Sequence, residues 1–211
     1  MLKQLMTMLK LGGDHLDDGA DDLTPEAESA SPFVKEAHMK MLAGLNLIQQ
    51  GNAGNAVDQF QEAFIAFIRA PDRKRAAMVQ KVITLLLENM KDRAKADLAY
   101  QRSRDMLQRA NLYDEEARVL MLRARHEARA SAWDKAYRWL REALSVYHRI
   151  GHGEGEVQVL SYWAELEAKR GKVAEAKKHL AMATAAIETI ADPALKARAE
   201  HRLATATAAV K

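Results

Sequence analysis

Histidines, paired carboxylates and arginines are the residues of this chain that could do chemistry, and their spacing decides among them. His148 and His152 stand four apart, which on a helix would aim two imidazoles at one metal ion. Gly151 breaks that helix and no third ligand follows, so the pair is expected to serve a positive helix C-terminus instead. The other five, His15, His38, His126, His179 and His201, form no HExxH pattern. Gly151, Gly153 and Gly155 are spaced like a phosphate-cradling fragment, but such a loop follows a strand, and none is expected here. Glu115 and Glu116 fall on an amphipathic helix, where a solvated face is the expectation rather than a tuned acid. The arginines are more suggestive. Arg118, Arg125 and Arg129 recur at steps of seven and four, on one helical face, where guanidinium forks suit carboxylates. The expected chemistry is therefore binding, with no catalytic residue, cofactor or metal assigned.

Helices must position these residues. Ala, Leu, Glu, Lys, Arg and Met dominate, against 4 Pro and 10 Gly in 211 residues, so an all-α fold is expected. There is no Cys, which excludes disulfides and fits a cytoplasmic address. No apolar stretch approaches the roughly 20 residues of a membrane span, and the start MLKQLMTMLKLGG makes a poor signal peptide. Charge is uneven. Residues 1–32 hold two lysines and seven acids, a net −5, which leaves +8 for the rest of a chain whose total is +3. Residues 1–11 carry Leu2, Leu5, Met6 and Leu9 on one helical face, and 12–32 read as an acidic flexible linker. Ser31-Pro32 then marks a helix start.

Beyond it, four alanines, Ala56, Ala96, Ala136 and Ala176, stand 40 residues apart. A fixed period of this size marks stacked helical hairpins. The pairs are expected at 33–50 and 53–69, 72–89 and 92–109, 112–130 and 133–149, and 156–170 and 173–191. Ser131 and Asp134 are expected as a capping pair, and GHGEG at 151–155 as a stop. A last helix from Pro193 to about 209, within 193–211, would cap the stack.

Around three of the alanines a small pattern recurs: Gly44, Gly51, Ala56, Phe60 and Ala63; Ala124, Ala136, Leu140 and Ala143, with Ser131 at the turn; Ala164, Gly171, Ala176, Leu180 and Ala183. This resembles the tetratricopeptide repeat (TPR-like) family in a longer subtype of about 40 residues, over about residues 36–191. Thr84, Lys91, Ala96, Tyr100 and Ser103 keep only part of the pattern. The resemblance implies an α-solenoid of about four hairpins within 33–192. The first helix of each pair would line a partner-binding groove.

The groove positions it implies are His38, Met41, Leu45 and Gln49; Met78, Lys81, Leu85 and Glu88; Arg118, Met121, Arg125 and Arg129; and Gln158, Ser161, Tyr162, Glu165 and Lys169. The competing reading makes the Met and Leu residues core and the arginines a solvated face. The expected function is a non-enzymatic scaffold or adaptor for protein–protein interaction. Its ligand would be a protein or peptide, acidic or an amphipathic helix. Residues 1–28 are a candidate to dock on the chain's own groove or on a neighbouring copy, giving self-association. A nucleic-acid-binding repeat and a structural subunit of a larger assembly are the alternatives. Arg93, Arg102, Arg104, Arg109, Arg118, Arg123, Arg125 and Arg129 favour the first of these, but the intervening acids and sparse aromatics oppose it.

Overall fold

A computed structural model describes residues 31–210, and these are all-α, with nine helices and no strand among them. The N-terminal helix and acidic linker expected before Ser31 lie outside the described residues. In chain order the helices are α1 (Pro32–Gln49), α2 (Ala53–Arg69), α3 (Arg73–Asn89), α4 (Arg93–Arg109), α5 (Tyr113–Arg129), α6 (Trp133–Arg149), α7 (Gly153–Lys169), α8 (Val173–Ile187) and α9 (Pro193–Ala209). From Ala53 to Pro193 every helix starts 20 residues after the last, so the alanine period of 40 is two helices.

Short turns set this grid. Asn52, Asp72, Asp92, His152 and Asp192 each cap the helix that follows by accepting a backbone N–H three residues on, worth about 1 kcal/mol for each Asn or Asp cap. Before the caps the chain turns through left-handed residues: Gly51, Gly151 and Gly171 at φ 76°, 66° and 73°, with Asn111 and Ser131 in the same role. The expected Ser131–Asp134 capping pair is not formed. Ser131, at φ 56°, closes α5, its N–H donating to Ala128 O and that of Ala132 to Glu127 O, while Ala132 stands at the uncapped start of α6. GHGEG ends α6, but α7 already begins at Gly153 rather than 156, and α8 ends at Ile187 rather than 191.

The helices group into two compact units, one ending at Ala110 and the other beginning at Asn111. In each, helices pack mainly on their near neighbours in sequence, as in an α-solenoid. In the first unit α2 is central. Its Ala56, Val57, Phe60, Ala63, Phe64 and Phe67 are buried, and α1, α3 and α4 all lie on it. Gly44 of α1 admits the Phe60 ring, which a Cβ there would meet at 2.8 Å. The second hairpin differs. α3 and α4 scarcely touch each other, and α4 is held to α2 by a buried hydrogen bond from Ser103 Oγ to Gln61 Oε1 at 2.6 Å. Thr84 stands where the other pairs have Gly44, Ala124 or Ala164. Met90 leaves α3 extended, at φ −67° and ψ 116°, so no left-handed turn folds α4 back.

In the second unit the pairs α5–α6 and α7–α8 close tightly, and α9 lies on α7 and α8. Ala124, Ala136, Leu140, Ala143, Ala164, Ala176 and Ala183 are all fully buried at their seams. Gly155 lets the first turn of α7 sit on the Tyr147 ring, and Gly153 does the same beside Thr189 and Ile190 at the end of α8. The three glycines are turn and packing glycines.

Candidate partner-binding face

Each unit carries part of the expected groove. In the first, Met41 of α1 is only 4% exposed and is core, because its helix lays Ala37, Met41 and Gly44 against α2. His38, Leu45, Met78 and Leu85 are half-buried, while Gln49 and Lys81 are exposed. The His38 ring meets Phe67 edge-on at 5.7 Å, and burial, helped by Arg75 and opposed by Asp72, lowers its pKa below the ordinary value. α1 and α3 pack on α2 and hardly on each other, so their side chains do not form one continuous lining.

The second unit brings expected site residues together. The Arg125 guanidinium lies over the Tyr162 ring, 5.3 Å from its centre, joining α5 to α7. Burial raises the Tyr162 phenol pKa, and the positive charges of Arg125 and Arg129 act against it, with Glu165 adding to the rise. Four residues of the expected face thus share one electrostatic environment, and exposed Lys169 follows one turn after Glu165. Met121 is a correction here as well. At 3% exposure it belongs to the core with Leu120, Ala124 and Trp139, because α5 turns that side to α6. Ser161 is likewise buried.

Arg118 has a different role from Arg125. It pairs with Asp114 Oδ2 at 2.8 Å and Glu115 Oε1 at 3.2 Å, and shares a hydrogen bond with Tyr147. Burial works against its charge, but Glu115 and Asp114 outweigh that and raise its pKa. Its fork is committed to carboxylates of its own helix. The basic end of the face is therefore Arg125, Arg129 and Lys169.

The histidine pair resolves as packing. His152 Nδ1 accepts the Gly155 N–H at 2.9 Å, and its ring stacks on Tyr147. His148 Nδ1 faces Glu156 Oε1 at 3.2 Å. Among the described residues no group of three or more His, Asp or Glu side chains could hold a metal, and no helix is long and apolar enough to cross a membrane.

Aromatic packing in the second unit has no clear signature in the spacing. Trp139 has Arg123 at 3.8 Å and Arg138 at 4.5 Å from its ring centre. Trp163 stacks on both Tyr137 and His179, and His179 Nδ1 lies 2.7 Å from Glu167 Oε2. These ring faces are already covered. Sequence reasoning also missed a cleft of about 580 Å³ where α6 and α8 flank α7. Its inner surface is apolar, from Leu144, Leu160, Met182 and Ala186, and its two walls, α6 and α8, are helices that the resemblance leaves out of the groove.

No protein-family model matches the chain, and no curated protein matches it.

Proposed function

We propose that this chain is a non-enzymatic interaction module, a tetratricopeptide-like scaffold or adaptor, whose α5–α7 face takes an acidic peptide or helix of a partner protein. The observation that carries the reading is Arg125 held over Tyr162, with Arg129 and Lys169 on the same face. A guanidinium resting on an aromatic ring keeps its N–H edge for a carboxylate while losing little side-chain freedom. Hairpin stacks fix such side chains on rigid helices, which favours an extended ligand read by several positions. A cysteine-free chain fits the cytoplasmic setting proposed for it.

The nucleic-acid alternative draws less support. Of the arginines that favoured it, Arg102 is tied to Asp58 at 2.8 Å, Arg118 to Asp114 and Glu115, and Arg123 to Trp139. The tryptophan faces that could stack bases are occupied by Arg, Tyr or His.

Affinity capture from lysate of the source cells tests the reading, comparing the full chain with Arg125→Glu/Arg129→Glu. A protein held by the wild type and lost from the variant is the expected result. Equal capture by both, or capture of nucleic acid alone, would count against it.

A further inference from the structure

We propose that the α6–α8 cleft is a second docking surface, and that its occupant is the amphipathic segment 2–9 of a second copy of this chain. The first argument is register. The α6 wall is Arg141, Leu144, Ser145 and His148, and the α8 wall is Met182, Ala185, Ala186 and Thr189. The α6 set falls at i, i+3, i+4 and i+7 and is two helical turns long, about 10.5 Å, while on the other wall Thr189 lies just past the end of α8 at Ile187. Glu156 and Leu160 of α7, one turn apart, form the floor. Leu2, Leu5, Met6 and Leu9 have the same i, i+3, i+4, i+7 spacing, the set of anchors that a helix lays into a groove of this length.

The second argument is chemistry. Leu144, Leu160 and Ala186 line the cleft with hydrocarbon, and Met182 is 50% exposed at its edge. Met adapts its shape to an incoming apolar helix. The α5–α7 face offers such a segment nothing comparable. Its apolar side chain Met121 is buried, and its surface is charged.

The third argument is charge. Arg141 stands exposed on α6, and Lys178 stands exposed on α8 one turn before Met182. Asp14, Asp17, Asp18, Asp21 and Asp22 follow the apolar segment. α6 and α8 both end beside the start of α7, where Gly153 touches Thr189 and Ile190, so they run parallel. A segment lying antiparallel to them carries its acidic continuation toward Arg141 and Lys178. Exchange of the segment between two copies fills both clefts and closes the assembly as a two-fold dimer.

The test uses the full chain with Met182→p-benzoylphenylalanine, mixed with a 15N-labelled copy, irradiated and digested with trypsin. The expected product joins position 182 to the peptide spanning 4–10, with light–heavy pairs present, and sedimentation gives twice the chain mass. Leu5→Asp/Leu9→Asp removes the cross-link and weakens the dimer about a hundredfold. Cross-links only between like isotopes, none to residues 4–10, or equal capture of that peptide by the same probe at Tyr162 would each overturn the proposal.

Discussion

Gly155→Ala gives the sharpest test of how the second unit is packed. A Cβ at this position would lie 2.4 to 2.6 Å from Cδ1, Cε1 and Cγ of Tyr147, about 1 Å inside a normal carbon contact. The ring has little room to retreat. Tyr147 is 1% exposed, stacks on His152 at 5.3 Å and shares a hydrogen bond with Arg118. Overpacking of a tight site costs about 1–3 kcal/mol, and overlap with three ring carbons points to the upper part of that range. Alanine's helix propensity returns at most about 1 kcal/mol. The net loss is about 2 kcal/mol, which lowers Tm by roughly 4–8 °C in a chain of this size. Gly54→Ala is the control, because its nearest neighbour is Met90 Cε at 3.8 Å, an ordinary contact. There only the propensity gain remains, and Tm should rise by roughly 2–3 °C. Thermal melts followed by circular dichroism measure both. If Gly155→Ala melts at or above the wild-type temperature, the close approach of α7 to Tyr147 is wrong.

Three further outcomes follow from the same structure. Ser131→Gly should stabilise the chain by about 0.5–1 kcal/mol in urea titration, since a left-handed serine costs about 1–2 kcal/mol and glycine's extra entropy returns part of the gain. Ser103→Ala removes the donor to buried Gln61, whose Nε2 already has no hydrogen-bond partner, and should cost about 1–3 kcal/mol. Adding Gln61→Leu should recover much of that loss. His38 carries a lowered pKa, chiefly from burial, so the folded chain binds its proton less readily than the unfolded chain does. Its contribution is full above the ordinary value of 6.5 and is lost as pH falls through the lowered folded value. His38→Leu should therefore flatten the acid side of the stability profile below pH 6.5, and an unchanged slope would refute that assignment.

Much of the fold was legible because small residues and turns recur at fixed spacing. Gly44 beside Phe60, and Ala124 and Ala164 at their seams, are helix contacts that require short side chains. The same logic located the fault in the second hairpin, where Thr84 and Lys91 depart from the pattern and α3 and α4 fail to close. Two features were misread for local reasons. Ser131 looks like an N-cap by residue type, yet the turn needed a left-handed residue there and took serine without a stabilising side-chain bond. Gly153 and Gly155 look like helix breakers, but with His152 as a cap they form the first turn of α7 and make room for Thr189, Ile190 and Tyr147. For the site, the family resemblance implied that Arg125 and Tyr162 share a groove, but the spacing left open whether Met41 and Met121 turn inward and did not show that Arg118 is held by Asp114. Those outcomes depend on the rotation of each helix about its axis. The α6–α8 cleft depends on three helices at once, which no single periodicity reveals.

The most direct measurement is amide hydrogen exchange on the full chain, with and without the protein captured through Arg125 and Arg129. The account predicts added protection in residues 118–129 and 158–169, on α5 and α7, and its loss with Arg125→Glu/Arg129→Glu. Protection confined to α6 and α8, or none on α5 and α7, would contradict it.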